Sequence, residues 1–349
     1  MAQQSIRPYL DYQSDRVEAV LAAHRAPARV TGGTVGPRLI KLFLSPAPTT
    51  RFAAIRRLAD DLALALRVPS LAVNRSQRGV TLAFPNPHPT SLPFLPLLER
   101  AAPLPAASPL LGLTDDGLPL IARLPSPDVA HVLIVGTTGS GKSVLLRTIA
   151  ASLILANPAS AVRLLCIDPK QRTFTPFSTA SHLASAPIAD PVAAHHTLVD
   201  LLRTMELRDR HHIAPASDPA APFIIVLIDE LADLLAAAPP STAQTLIRLA
   251  QRGRQAGIHL IVATQHPSAA VVSSLLRANF PLRLVGRVAS AQDAALAAGR
   301  ANSNAHLLSG HGDFLAFSSQ PTLRFLVPFI PERHIPKILN ASLLRRSAR

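Results

Sequence analysis

The chain has 349 residues, of which 48% are apolar, and a formal charge of +14. That length suggests two domains. A single cysteine, Cys166 in the apolar run from Val162 to Ile167, excludes a disulfide framework or cysteine zinc site and favours a reducing, cytoplasmic setting. The N-terminus has no apolar signal-peptide core, and no apolar stretch is long enough to span a bilayer, so no membrane anchor is expected. The positive charge is spread along the chain rather than gathered in one block, as expected of a folded domain with a polyanionic partner such as nucleic acid.

In chain order, Arg16 to Ala26 forms a helical patch and Gly32-Gly33 a break. Gly36 to Leu44 reads as a strand. Thr49 to Leu66 reads as an amphipathic helix, with Ile55, Leu58, Leu62 and Leu66 at helical spacing. Leu71 to Val73 and Val80 to Phe84 read as two further strands. The proline-rich stretch from Pro85 to Pro109 reads as an extended connector with room for one short helix. Residues 1–109 are therefore expected to be a small α+β domain and linker.

From Leu110 onward apolar runs alternate with helical patterns. The strands expected are Val132–Val135, Val162–Ile167, Phe223–Ile228, His259–Ala263 and Leu282–Val288. The helices expected are Ser143–Ala156, Ala193–Arg210, Thr242–Ala256 and Ala291–Gly299. This alternation predicts an α/β domain over 110–335, with a mostly parallel sheet covered by helices on both faces. Residues 336–349 read as a basic tail.

Three strand ends carry polar chemistry. The first is Gly136-Thr137-Thr138-Gly139-Ser140-Gly141-Lys142-Ser143, which follows a strand and opens a helix. Its glycines let backbone amides wrap ATP phosphates, Lys142 reaches the β- and γ-phosphates, and Ser143 is a Mg²⁺ ligand. The second follows Phe223–Ile228, where Asp229 is expected to hold Mg²⁺ through water and Glu230 to be the base that polarises attacking water. An acidic pair there also fits a plain helix cap. The third is Gln265, at the end of Leu260–Thr264, a candidate γ-phosphate or water contact. Arg252 and Arg254, in the basic segment Arg248–Arg254, are candidates for a contact with a neighbouring subunit.

In this order the motifs resemble the FtsK/SpoIIIE family of DNA translocases. The matching stretches are HVLIVGTTGSGKS, CIDPK (Cys166 to Lys170), LIDELADL (Leu227 to Leu234) and RLAQRGRQAGIHLIVATQHPS (Arg248 to Ser268), then LRANFPLRL and SGHGDFLAF. Upstream, GPRLIKLFLSPAP and RRLADDLALALRV resemble the family's α subdomain. The resemblance implies a RecA-like motor using ATP and Mg²⁺, assembled as a homo-hexamer around double-stranded DNA. It gives Gln265 and Arg254 catalytic positions beside Glu230, Arg254 acting in trans. It places Asp168 and Lys170 near the nucleotide or a subunit interface. DNA-facing loops are expected between the P-loop helix and the Asp229 strand, and at Pro267 to Leu276. Three departures stand out. His266 replaces an arginine, and Ala289–Ala295 lacks the family's interface arginine, which leaves Arg283, Arg287 or Arg300 to stand in. Residues after 335 are too few for the winged-helix domain that reads orientation sequences. A ring ATPase for protein secretion or conjugative transfer is the alternative.

Overall fold

The computed structural model describes residues 2–76, 79–215, 218, 221–268 and 273–340. The chain divides into two compact units, Met1–Ser91 and Leu92–Arg349.

The first unit comprises α1 (Ala2–Ala23), β1 (Ala28–Val35), β2 (Leu39–Pro46), α2 (Phe52–Arg57), α3 (Ala59–Leu66), β3 (Ala72–Ser76) and β4 (Gly79–Pro85). Its four strands form an antiparallel sheet in the order β1-β2-β4-β3. Along β2, alternate residues Ile40, Leu42 and Leu44 are buried and pack with Val17 and Leu21 of α1 and with Leu62 and Leu66 of α3. The expected 49–66 helix is thus two helices meeting at Leu58. The expected break at Gly32-Gly33 lies inside β1 instead. The register shifts between Val30 and Gly32, and a Cβ on Gly33 would stand 2.5 Å from the Lys41 carbonyl. Glycine here permits a bulge and close strand approach, so it bends the strand without ending it.

The second unit begins earlier than its sequence suggests. Leu92, Phe94 and Leu97 of α4 (Phe94–Ala101) and Ala107 are buried in the same core as the 132–135 strand. The proline-rich stretch after Ser91 is therefore part of this unit rather than a free connector. At the far end Leu339, inside the expected tail, is buried in that core too. Residues 341–349 lie outside the described residues.

Beyond α4 the order is β5 (Leu110–Thr114), β6 (Pro119–Ile121), β7 (Val132–Val135), α5 (Lys142–Ala156), β8 (Val162–Ile167), α6 (Pro191–Arg210), β9 (Phe223–Ile228), α7 (Leu231–Ala237) and α8 (Ser241–Arg252). Then follow β10 (Ile258–Thr264), α9 (Ser274–Ala278), β11 (Leu282–Val285), α10 (Ala291–Ala298), β12 (Asp313–Phe317) and β13 (Leu323–Leu326). One nine-stranded sheet runs β6-β5-β13-β12-β11-β7-β10-β9-β8. The five strands from β11 to β8 are parallel, and the other four extend the sheet antiparallel.

Both faces of the parallel half are covered. Val132 and Ile134 of β7 pack with α5, whereas Leu133 and Val135 pack with α6, α8 and α10. This explains why these strands read as unbroken apolar runs. Local signals fix the helix ends: Asp190 accepts from the Ala193 amide with Pro191 at the first turn, and Gly299 closes α10 at φ +71°. No helix among the described residues is long and apolar enough to cross a membrane.

At the N-terminal ends of β7 and β10, two buried histidines lock neighbouring strands. The Leu260 amide donates to His131 Nδ1 (2.9 Å), and His259 Nδ1 donates to the Ala130 carbonyl (2.8 Å). Burial disfavours the charged rings and lowers their pKa values from 6.5 to about 3 for His131 and about 4 for His259. An unfolded chain takes up protons near 6.5 where the folded one does not. The stability these groups contribute is therefore complete above pH 6.5 and lost as pH falls toward the folded values. Urea unfolding should show this as a steep acid limb. In His259→Gln the slope between about pH 6 and pH 4.5 should shrink by ~1.4 kcal/mol per pH unit, one proton's worth.

Candidate nucleotide site

The strand order decides where the chemistry meets. β7, which feeds the P-loop, lies between β10 and β11, and β9 flanks β10 on its other side. The carboxyl ends of β7, β9, β10 and β11 thus open onto one crevice, the position where open parallel α/β sheets bind ligands.

The P-loop runs from Gly136 to Gly141 and opens α5 at Lys142. Gly139 and Gly141 adopt φ of +78° and +104°. A Cβ on Gly136 would lie 2.6 Å from Ser140 Oγ, and one on Gly141 would lie 2.6 Å from the Gly312 nitrogen. Glycine is thus needed at 136 for space and at 141 for both space and backbone conformation. Ser140 is fully buried and its hydroxyl has no partner among the described residues.

Outside groups hold the loop. On one side the Gly136 amide donates to the Thr264 carbonyl (3.3 Å). On the other, the Thr137 amide and hydroxyl donate to the Arg287 carbonyl at 2.8 and 3.0 Å. The amides of His311 and Gly312 donate to the carbonyls of Gly139 and Ser140, both at 2.8 Å. Lys142 Nζ donates to the carbonyls of Gly136 (2.6 Å) and Thr137 (3.3 Å). Burial lowers the Lys142 pKa, and the Glu230 and Asp229 carboxylates act in the opposite direction.

The carboxylates sit where the sequence predicts. Ser143 Oγ donates to Asp229 Oδ1 at 3.4 Å. Neighbouring oxygens around an octahedral Mg²⁺ with ~2.05 Å bonds are about 2.9 Å apart; the wider gap here suits Ser143 as a direct ligand with Asp229 acting through a water. Burial raises the Asp229 pKa, with Asp168 and Glu230 adding to it and a hydrogen bond from the Thr173 side chain and the charge of Lys142 opposing it. A dication would offset that cost. Glu230 is buried and accepts from the Thr264 hydroxyl (2.7 Å) and the Gln265 amide (3.0 Å). It also caps α7 through the Ala232 amide at 3.3 Å, so the helix-cap role exists beside the site role. The Gln265 side chain accepts from the Thr138 hydroxyl at 2.8 Å, linking the β10 end to the P-loop.

Of the other expected residues, Asp168 lies close enough to Asp229, and Lys170 close enough to Lys142, for their charges to act on one another, whereas the arginines are spread over the unit. Arg254 is in the turn after α8, not on a helix, at the start of β10. The seven residues of β10 put it roughly 20 Å from the P-loop of the same chain. Arg252 pairs with Asp209 and Arg248 with Glu206, both within this chain. Asp168 is fully buried, accepts from the Thr173 and Phe174 amides, and leaves Oδ1 without a partner. Lys170 pairs with Asp233 at 2.7 Å. Of the three arginines that could stand in for the missing one, Arg283 donates to the Phe280 and Arg277 carbonyls and Arg300 to the Ser318 carbonyl. Arg287, just past the end of β11, is the one beside the P-loop. The SGHGDF stretch carries no phosphate-site pattern of its own; only the strand order brings it against the P-loop. The second expected DNA-facing loop, 267–276, includes residues 269–272, which are outside the described residues.

A strand–glycine loop–helix facing two carboxylates across an intervening strand, on this parallel order, defines a RecA-like P-loop NTPase. Sequence comparison goes further. The FtsK/SpoIIIE family profile matches residues 114–213 and 209–269, and the FtsK alpha domain profile matches residues 2–86. The chain belongs to the FtsK/SpoIIIE family, its first unit being an FtsK alpha domain. It is 32% identical to DNA translocase SftA of Bacillus subtilis over 95% of this chain, and 34% identical to DNA translocase FtsK of Helicobacter pylori strain J99 over 87%. It spans only 37% and 38% of those proteins. Among solved structures, the pCW3 conjugation coupling protein TcpA with ATPγS shares the fold at TM-score 0.64 and 20% identity, covering 96% of this chain and 99% of that one. The cytoplasmic domain of Thermomonospora curvata EccC, a type VII secretion ATPase, does so at 0.62 and 22%, covering 72% and 34%. At such identities these likenesses speak for the fold.

The two left-handed glycines should respond differently to alanine. Gly139→Ala meets open space and should cost about 1–2 kcal/mol, from backbone conformation alone. Gly141→Ala also drives a methyl into Gly312 and should weaken nucleotide binding further, by at least about tenfold relative to Gly139→Ala. Equilibrium binding of a fluorescent ADP to the two variants checks the order.

Proposed function

We propose that this chain is the motor of an ATP-driven double-stranded DNA translocase that works as a ring oligomer, a homo-hexamer by resemblance. The observation that carries the reading is the Lys142–Ser143–Asp229–Glu230 constellation, in a chain whose alpha and motor segments align together with DNA translocases. The basic composition, +14 overall, agrees with a polyanionic track.

Each residue has a chemical task in this reading. The amides of Gly139 to Ser143 and the N-terminus of α5 cradle the ATP phosphates. Lys142 exchanges its loop carbonyls for β- and γ-phosphate oxygens. Ser143 and Asp229 hold Mg²⁺, which neutralises charge between the phosphates when bound. Glu230 orients and deprotonates the attacking water, and Gln265, tied to Thr138, reports the γ-phosphate to β10. Arg254 is too far to serve its own nucleotide, so its catalytic role is that of an arginine finger on a neighbour. DNA contacts would fall mainly on phosphates, so binding is expected to weaken steeply with salt. Secretion or conjugative transfer is the second reading; the likenesses that raise it concern the fold.

ATP turnover measured with and without linear duplex DNA tests the proposal. The wild type should be stimulated at least about tenfold by duplex, and Lys142→Ala should lose both basal and stimulated turnover. Glu230→Gln should still bind ATP but hydrolyse it at least about a hundredfold more slowly. Hydrolysis indifferent to duplex DNA would refute the translocase reading.

A further inference from the structure

The loop Ser309–Asp313 has a construction that the nucleotide chemistry above does not use. Gly310, His311 and Gly312 all have positive φ, at +76°, +52° and +95°. Three consecutive left-handed residues, one of them not glycine, persist only where surrounding contacts impose them. Those contacts converge on Asp313, which is 5% exposed. Its Oδ1 accepts from Arg324 Nε (2.8 Å), and its Oδ2 from Arg324 Nη2 (2.7 Å), the Ser309 amide (3.1 Å) and the Ser309 hydroxyl (3.0 Å). The carboxylate thus closes the loop into a ring and ties it to β13. The Val327 amide, donating to the Gly312 carbonyl at 2.8 Å, fixes it from behind.

The ring presents the amides of His311 and Gly312 to the carbonyls of Gly139 and Ser140. A P-loop must turn its amides toward phosphate, so its carbonyls need donors from elsewhere. A role confined to stapling β12 to β13 would be met by Arg324 alone; it gives no reason for Ser309 to bind the same carboxylate or for the loop to be left-handed.

We infer that Asp313 and Arg324 are positioning residues for nucleotide binding, holding the 309–313 ring so that its main-chain amides set the conformation of the P-loop. The inference rests on the reading of Gly136–Ser143 as the phosphate cradle. Because the effect passes through main-chain groups, the imidazole of His311 is dispensable while its left-handed conformation is not.

The test is equilibrium binding of Mg-ADP and Mg-ATPγS to the full chain, well below its melting temperature, together with steady-state ATPase kinetics. Asp313→Asn should weaken both nucleotides about tenfold, raising KM for ATP while kcat at saturation holds, since Asp229 and Glu230 are untouched. Arg324→Lys keeps the charge but loses the two-pronged contact and should cost about threefold. Ser309→Ala, a mild change should Asp313→Asn fail to fold, should cost about twofold. Folded Asp313→Asn or Arg324→Lys variants with wild-type affinity and only a lowered melting temperature would reduce the pair to a hairpin staple and overturn the inference. Failure of the wild type to bind either nucleotide would overturn the cradle itself, and this inference with it.

Discussion

A loop that wraps an anion with its own amides cannot hold its own shape. The amides that meet the ligand must stay free; Thr137 finds a donor inside the loop in the Ser140 amide, but the carbonyls of Gly139 and Ser140 must find theirs outside. The second unit is arranged around that constraint. Thr264 at the end of β10 and Arg287 just past β11 supply carbonyls to the first two residues of the loop, and the ring at 309–313 supplies donors to its middle. Lys142 satisfies Gly136 and Thr137, and these are bonds it can exchange for phosphate.

The same strand order couples the two chemical halves of the site. β10 separates the P-loop strand from the carboxylate strand, and its last residues touch both. Thr264 hydrogen-bonds Glu230 through its hydroxyl and Gly136 through its carbonyl. Gln265 meets Glu230 through its amide and Thr138 through its side chain. A displacement of either partner is therefore felt at the other through Thr264, the last residue of buried β10, and Gln265, which follows it. The segment after β13 braces the remaining flank: the Thr148 hydroxyl of α5 donates to the Pro328 carbonyl, and Arg147 pairs with Glu332.

The parallel core was legible because its strands are buried on both faces and its helices carry ordinary caps. Val132–Val135, Val162–Ile167 and Phe223–Ile228 have the bounds that hydrophobicity predicts. The antiparallel extension was not legible. β6 has three residues and no buried face, and β5, β12 and β13 are short, so periodicity has little to act on. The boundary near 109 failed because prolines announce a connector, yet Leu92 and Ala107 of that stretch, and Phe94 of the short helix within it, are buried in the core of the second unit. The Gly32-Gly33 break failed because glycine permits a bulge as readily as a turn. The helix expected to carry Arg254 ends at Arg252, since the chain must turn at Gly253 and Gly257 to enter β10.

The amino-acid sequence by itself determined the phosphate loop, the acidic strand end and the family, because each is a local pattern of residue types whose chemistry depends on neighbours in the chain. What only the tertiary structure decided is which strand ends stand side by side. That placed Glu230 against Thr264 and Gln265, left Arg254 at the far end of the sheet, and set Asp313 and Arg324 behind a loop some 170 residues earlier in the chain. Such adjacency follows from how strands are ordered in a sheet. That order is fixed by burying both faces at once, a property of the whole unit that no short stretch of sequence contains.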